Sequence, residues 1–103
     1  DKTAIAETLL HKALTLYADH RGYLGLGMIY QQTGRQQESI QILNRGLDHF
    51  TDSMDLKICQ GVNYMNQGRF QKALQFFKDH KDQAQVRAYI EQCRTGINTR
   101  MRD

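Results

Sequence analysis

Tyr23-Leu24-Gly25-Leu26-Gly27-Met28-Ile29-Tyr30, closed by Gly34-Arg35, is the stretch that decides how this chain is read. It comes back in part 34 residues later, where Gly61-x2-Tyr64 is closed by Gly68-Arg69. Laid over one another at that offset, residues 20–53 and 54–87 share Gly27/Gly61, Tyr30/Tyr64, Gly34/Gly68, Arg35/Arg69, Gln37/Gln71, Gln41/Gln75 and Asp48/Asp82. A fixed period of this length marks helical hairpins stacked into a solenoid. The expected fold is therefore all-α, with about six antiparallel helices.

The pattern inside the period is more specific than its length. Tyr23-x2-Leu26-Gly27-x2-Tyr30 followed by Ser39-x3-Leu43, and Gly61-x2-Tyr64 followed by Ala73-x3-Phe77, resemble the tetratricopeptide repeat (TPR). The resemblance implies a right-handed superhelix of helical pairs. It also implies scaffold roles: Gly27 and Gly61 let paired helices approach, Ser39 and Ala73 are the small residues facing them, and Tyr30 and Tyr64 fill the space between repeats. Gly34 and Gly68 end the first helix of each pair, where a left-handed residue is needed. Two positions depart from the pattern: Lys57 and Gln60 stand where a large aromatic and an aliphatic residue are usual. Thr51 replaces the proline that commonly ends a repeat, so Thr51-Asp52-Ser53 must form that turn.

Outward from the repeats, Ile5, Leu9, Leu10, Ala13, Leu14 and Tyr17 recur at helical spacing over Thr3 to Tyr17. Residues 1–19 are thus expected to be the second helix of a preceding repeat, with an apolar flank through which copies could self-associate. Asp19-His20-Arg21-Gly22 reads as a break, and helices are expected over Tyr23 to Thr33, Gln36 to Phe50, Met54 to Gln67 and Phe70 to about Lys81. In residues 86–103, Val86, Tyr89, Ile90, Cys93 and Ile97 share one face, while Arg87, Glu91, Gln92, Arg94 and Thr95 share another. That is the expectation for a helix capping the solenoid.

Composition excludes several classes. With 103 residues the chain is read as a single domain, and with no proline, 40% hydrophobic residues and only nine aromatics it reads as helical rather than as sheet. No apolar run has the length of a membrane span. A net charge of +3 is too small and too dispersed to imply nucleic acid, although Lys78, Lys81, Arg87, Arg94, Arg100 and Arg102 form a basic cluster in the sequence. Cys59 and Cys93 lack CxxC or Cys/His spacing and read as buried thiols of a reducing, cytoplasmic setting. The chain opens at Asp1 inside a helical pattern, as in a segment of a longer protein. His11, His20, His49 and His80 show no ligand spacing, and no nucleophile or phosphate-loop motif is present, so no metal, cofactor or catalytic residue is expected.

The resemblance also implies where a partner would bind, because the first helix of each repeat lines the concave face of such solenoids. It places Leu24, Gly25, Met28, Gln31 and Gln32 beside Asp55, Ile58, Cys59, Val62, Met65 and Asn66. In relatives that grip acidic chaperone C-termini, Lys, Arg and Asn hold the carboxylate at these places. Here the equivalent residues are Leu24, Met28 and Cys59, or Gly25, Asp55 and Cys59 in the alternative register, and the clamp is missing. The expected function is a protein-interaction module offering an apolar groove to a helical or extended segment. An architectural segment whose groove is filled in cis or by self-association is the alternative, and a binder of anionic surfaces the third reading.

Overall fold

The computed structural model describes residues 2–16 and 19–102, with side chains for 2–12 and 19–101. Ala13, Leu14 and Tyr17 of the expected apolar stripe and Arg102 of the basic cluster thus have side chains outside the described residues. Six α-helices follow in order: α1 (Lys2–Leu16), α2 (His20–Gln32), α3 (Gln36–His49), α4 (Met54–Asn66), α5 (Phe70–Phe77) and α6 (Ala84–Arg102), with a 3-10 turn at Lys78–His80. There is no strand among the described residues. Consecutive helices pack as antiparallel neighbours, and α2 also touches α4, which touches α6. The molecule is accordingly elongated, 48 × 28 × 21 Å, as stacking along one direction requires.

The 34-residue period is explained at the turns. Gly34 and Gly68 have φ of 78° and 76°, a conformation that costs a side chain about 1–2 kcal/mol. Behind each glycine the chain closes the same pair of bonds. The Arg35 amide donates to the Tyr30 carbonyl at 2.7 Å and Gly34 to Gln31 at 3.4 Å; Arg69 donates to Tyr64 at 2.9 Å and Gly68 to Met65 at 3.0 Å. This is the Schellman arrangement, which satisfies carbonyls left open at a helix end. It also turns each arginine back over its tyrosine, at 4.4 Å for Arg35 on Tyr30 and 4.9 Å for Arg69 on Tyr64.

The starts of α2 and α4 rest on short polar side chains. Ser53 accepts the Leu56 amide at 3.2 Å, so serine chemistry takes over the stop that proline often supplies. His20 Nε2 lies 2.6 Å from the same hydroxyl and joins the start of α4 to the start of α2. Asp19 accepts from the Arg21 amide at 2.8 Å, and α2 therefore begins at His20, three residues before the expected Tyr23. Gly22 made this stretch read as a break; capped by Asp19 and buried against its neighbours, it is helical instead.

Two cores alternate along the stack. Tyr23, Leu26, Tyr30, Ile42, Leu43, Leu56 and Cys59 form the first, with Leu10 packed against it. Ile40, Tyr64, Ala73, Phe77, Val86, Ile90 and Cys93 form the second, so α6 is held by its predicted apolar face. The space that Gly27 and Gly61 each leave open is filled by a large residue. A Cβ on Gly27 would stand 2.5 Å from a Leu43 methyl, and one on Gly61 would stand 2.5 Å from the Phe77 ring. The residues that occupy the missing side chain's space are thus Leu43 and Phe77, one turn beyond Ser39 and Ala73. Ser39 has another task, donating its hydroxyl to the Gly27 carbonyl at 2.7 Å.

Candidate functional site

The first helices α2, α4 and α6 stand side by side, and a hollow of about 280 Å³ opens between them. From α2 come Leu24, Met28 and Gln31; from α4, Asp55, Ile58, Cys59 and Val62; from α6, Gln85 and Tyr89. Helical spacing accounts for the set. Leu24, Met28 and Gln31 sit at i, i+4 and i+7, and Asp55, Ile58, Cys59 and Val62 at i, i+3, i+4 and i+7, so each helix offers one continuous stripe.

Seven of the ten residues expected at the groove therefore meet in one hollow. The other three lie elsewhere: Gln32 and Asn66 are exposed near the ends of α2 and α4, and Met65 packs on the second core. Gly25, the eleventh position weighed, faces α1, where its absent Cβ would come 2.9 Å from a Leu10 methyl. Gln85 and Tyr89 were missed because α6 was read only as a cap. Their positions carried a signal, since Tyr89 lies one turn before Cys93 on the apolar face yet is only half buried. The Gln85 amide donates to the Tyr89 hydroxyl at 2.8 Å, which fixes the wall that α6 contributes.

Chemically the hollow is apolar with one charge. Met28 is 43% exposed at its rim, and Asp55 is the single ionic side chain in its lining. Burial pushes the Cys59 thiol up to about 11, which favours the neutral thiol over the thiolate, with a smaller opposing effect from the Gln31 side chain. Gln31 is itself committed, its amide donating to the Cys59 carbonyl at 3.1 Å and to Asn63 Oδ1 at 2.9 Å. The floor is therefore rigid while the rim is free.

A buried polar network lies beneath this floor. Asn63 donates to Ser39 Oγ at 2.8 Å and to Gln60 Oε1 at 3.1 Å; Gln60 in turn donates to the Ile40 carbonyl at 3.0 Å and to Asn44 Oδ1 at 2.8 Å. Ser39, Gln60 and Asn63 are fully buried. Gln60, which departs from the family pattern, thus joins Asn63 in tying α4 to α3.

Behind the hollow, a second polar group links α1 to the first repeat. Tyr30 donates its hydroxyl to Glu7 at 3.0 Å, His11 Nε2 lies 2.8 Å from that hydroxyl, and Arg35 donates to Glu7 at 3.0 Å and to Glu38. Burial, and then the bond to Glu7, push the Tyr30 hydroxyl up to about 12, while the bonds from Tyr30 and Arg35 hold the Glu7 carboxyl below its usual range.

A family model described as the tetratricopeptide repeat matches residues 20–48, which is α2 with nearly all of α3. Over those residues the first helical pair is similar to a tetratricopeptide repeat (TPR) unit. Outside the matched residues, α4 and α5 repeat the arrangement of the matched pair, with Phe77 in place of Leu43 and Arg69 in place of Arg35. No curated protein and no solved structure matches the chain. TPR units generally mediate protein–protein interaction, and among the described residues no helix is long and apolar enough to cross a membrane.

Proposed function

We propose that the chain is a protein-interaction module whose hollow between α2, α4 and α6 receives a helical or extended segment of a partner, within a domain built of repeats at 20–53 and 54–87 flanked by residues 1–19 and 86–103. The observation that carries this is the convergence of three successive first helices on an open apolar surface with a methionine at its rim. Met28 adapts to varied apolar shapes, and Ile58 and Val62 give a partner side chain a surface to bury. Asp55 favours a basic residue beside that apolar anchor. With no lysine or arginine in the lining, a terminal carboxylate finds no cation there.

Selection from a displayed peptide library followed by calorimetry tests this reading. Selected peptides are expected to carry an apolar anchor next to Lys or Arg. Met28→Glu should weaken them about tenfold or more, because it replaces an apolar contact by a charge that must be desolvated, and amidating their C-termini should change little. Binding that ignores Met28→Glu, or that collapses on amidation, would overturn the proposal. The architectural reading has its own support in Ile5 and Leu9, which are 62% and 60% exposed on α1. Light scattering over a concentration series is its measurement, and a monomer throughout would remove self-association through α1.

A further inference from the structure

The two Tyr-Gly-Arg turns are alike in backbone and opposite in charge. At the first, Arg35 is neutralised twice, by Glu38 on its own helix and by Glu7 from the packed helix α1. The residue 34 positions after Glu38 is Lys72, and the residue 34 positions after Glu7 is Gln41. Both acids are lost at the second turn, and one is replaced by a cation. Lys72 lies 4.7 Å from the Tyr64 ring on which Arg69 also rests.

A third cation arrives from α6. Arg100 lies 5.0 Å over the Phe70 ring, with its guanidinium so close above Gly68 that a Cβ there would meet it at 2.3 Å. Gly68 to Lys72 with Ile97, Arg100 and Met101 enclose a hollow of about 420 Å³. Among the described residues, Arg69, Lys72 and Arg100 enter no ion pair, and α5 has no acid in its first turn where α3 has Glu38. The basic side chains that form one cluster in the sequence are in fact divided. Arg87 and Arg100 are 13 residues apart on α6, about 20 Å at a helix's rise per residue.

We propose that this hollow binds a carboxylate side chain on an acidic segment of a partner protein, held by Arg69, Lys72 and Arg100. Two observations favour a carboxylate on a polypeptide over a bare phosphate. The related turn in the first repeat is already filled by carboxylates, one of them delivered by a neighbouring helix. The rim is apolar as well: Met101 is 81% exposed and Phe70 and Ile97 are half buried, so a side chain next to the acid has a surface to cover. Two guanidinium groups and an ammonium supply the charge-assisted donors such a group needs. The site shares no residue with the hollow between α2, α4 and α6, so either can fail without the other.

The test is an NMR titration of the 103-residue chain with a designed helical peptide carrying Glu and Leu on one face, with its Gln counterpart, and with inorganic phosphate. The Glu peptide should shift the amides of Gly68, Phe70, Gln71 and Lys72 saturably, and the Gln peptide should bind about tenfold more weakly. Lys72→Glu rebuilds at Arg69 the pair that Arg35 makes with Glu38, so the variant should fold normally, confirmed by its circular dichroism, and lose about tenfold in affinity for the Glu peptide. Arg100→Gln, on a different helix, should weaken binding in the same direction. Equal binding of the two peptides, unchanged binding by folded Lys72→Glu, or tighter binding of phosphate than of the Glu peptide would each overturn the proposal.

Discussion

Gly61→Leu is expected to lower the unfolding free energy by about 3 kcal/mol, the upper end of what overpacking a filled core costs. The reason is that the space is taken. A Cβ at Gly61 would sit 2.5 and 2.7 Å from two carbons of the Phe77 ring, and Phe77 is completely buried, so the ring has nowhere to go. Gly61→Ala gives the sharper sign. On an unhindered helix, alanine stabilises over glycine by about 1 kcal/mol; here it should destabilise. In a Phe77→Ala background the penalty of Gly61→Ala should shrink, because the ring it meets is gone. For a domain of this size a loss of about 3 kcal/mol corresponds to a fall in Tm of roughly 15 °C. Gly27→Leu should destabilise in the same way through Leu43, at 2.5 Å. Melts of Gly61→Leu and Gly27→Leu that match the parent would show that close helix approach is not why these glycines recur.

What the sequence made legible follows from what each residue type can do alone. Gly34 and Gly68 could be placed at helix ends because a positive φ is a demand that glycine meets by itself. The stripes of α2 and α4 were legible for a similar reason, since spacing along one helix fixes a face. The partner of Gly27 was assigned to Ser39 because a small residue opposite a glycine is the simplest packing; where Leu43 points depends on the crossing of two helices, which spacing does not encode. Gln60 was harder still. An amide in an apolar stripe reads as a departure until its partners on α3, the Ile40 carbonyl and Asn44, are known. Tyr89 escaped the groove list because one face of α6 serves two purposes, packing on Phe77 at 5.4 Å between ring centroids and walling the hollow. The contrast between Glu38 and Lys72 was visible as letters, but their distance from Arg35 and Arg69 was not.

Asn63→Leu is expected to cost about 2–3 kcal/mol even though it adds an apolar side chain to a buried place, because it strands polar neighbours. Asn63 makes three bonds: it accepts from Gln31 on α2 and donates to Ser39 on α3 and to Gln60 on its own helix. Without it the buried Gln60 Oε1 loses its donor, and desolvation that was offset is left uncompensated. Ser39→Ala removes two bonds, the one it donates to the Gly27 carbonyl and the one it accepts from Asn63, and should cost about 2 kcal/mol at the ordinary net value of about 1 kcal/mol each. The double variant should cost less than the sum, since the Ser39–Asn63 bond is counted in both single losses. Chemical denaturation of the four proteins measures this. The consequence reaches the surface: Gln31, which Asn63 and the Cys59 carbonyl hold in place, lines the hollow between α2, α4 and α6, and the same network sets how α2 and α4 stand relative to one another. A peptide selected on the parent chain should therefore bind folded Asn63→Leu more weakly, although residue 63 does not line the hollow. If Asn63→Leu proved as stable as the parent and bound that peptide equally, the polar network would be dispensable, and apolar packing alone would set the spacing of the first helices.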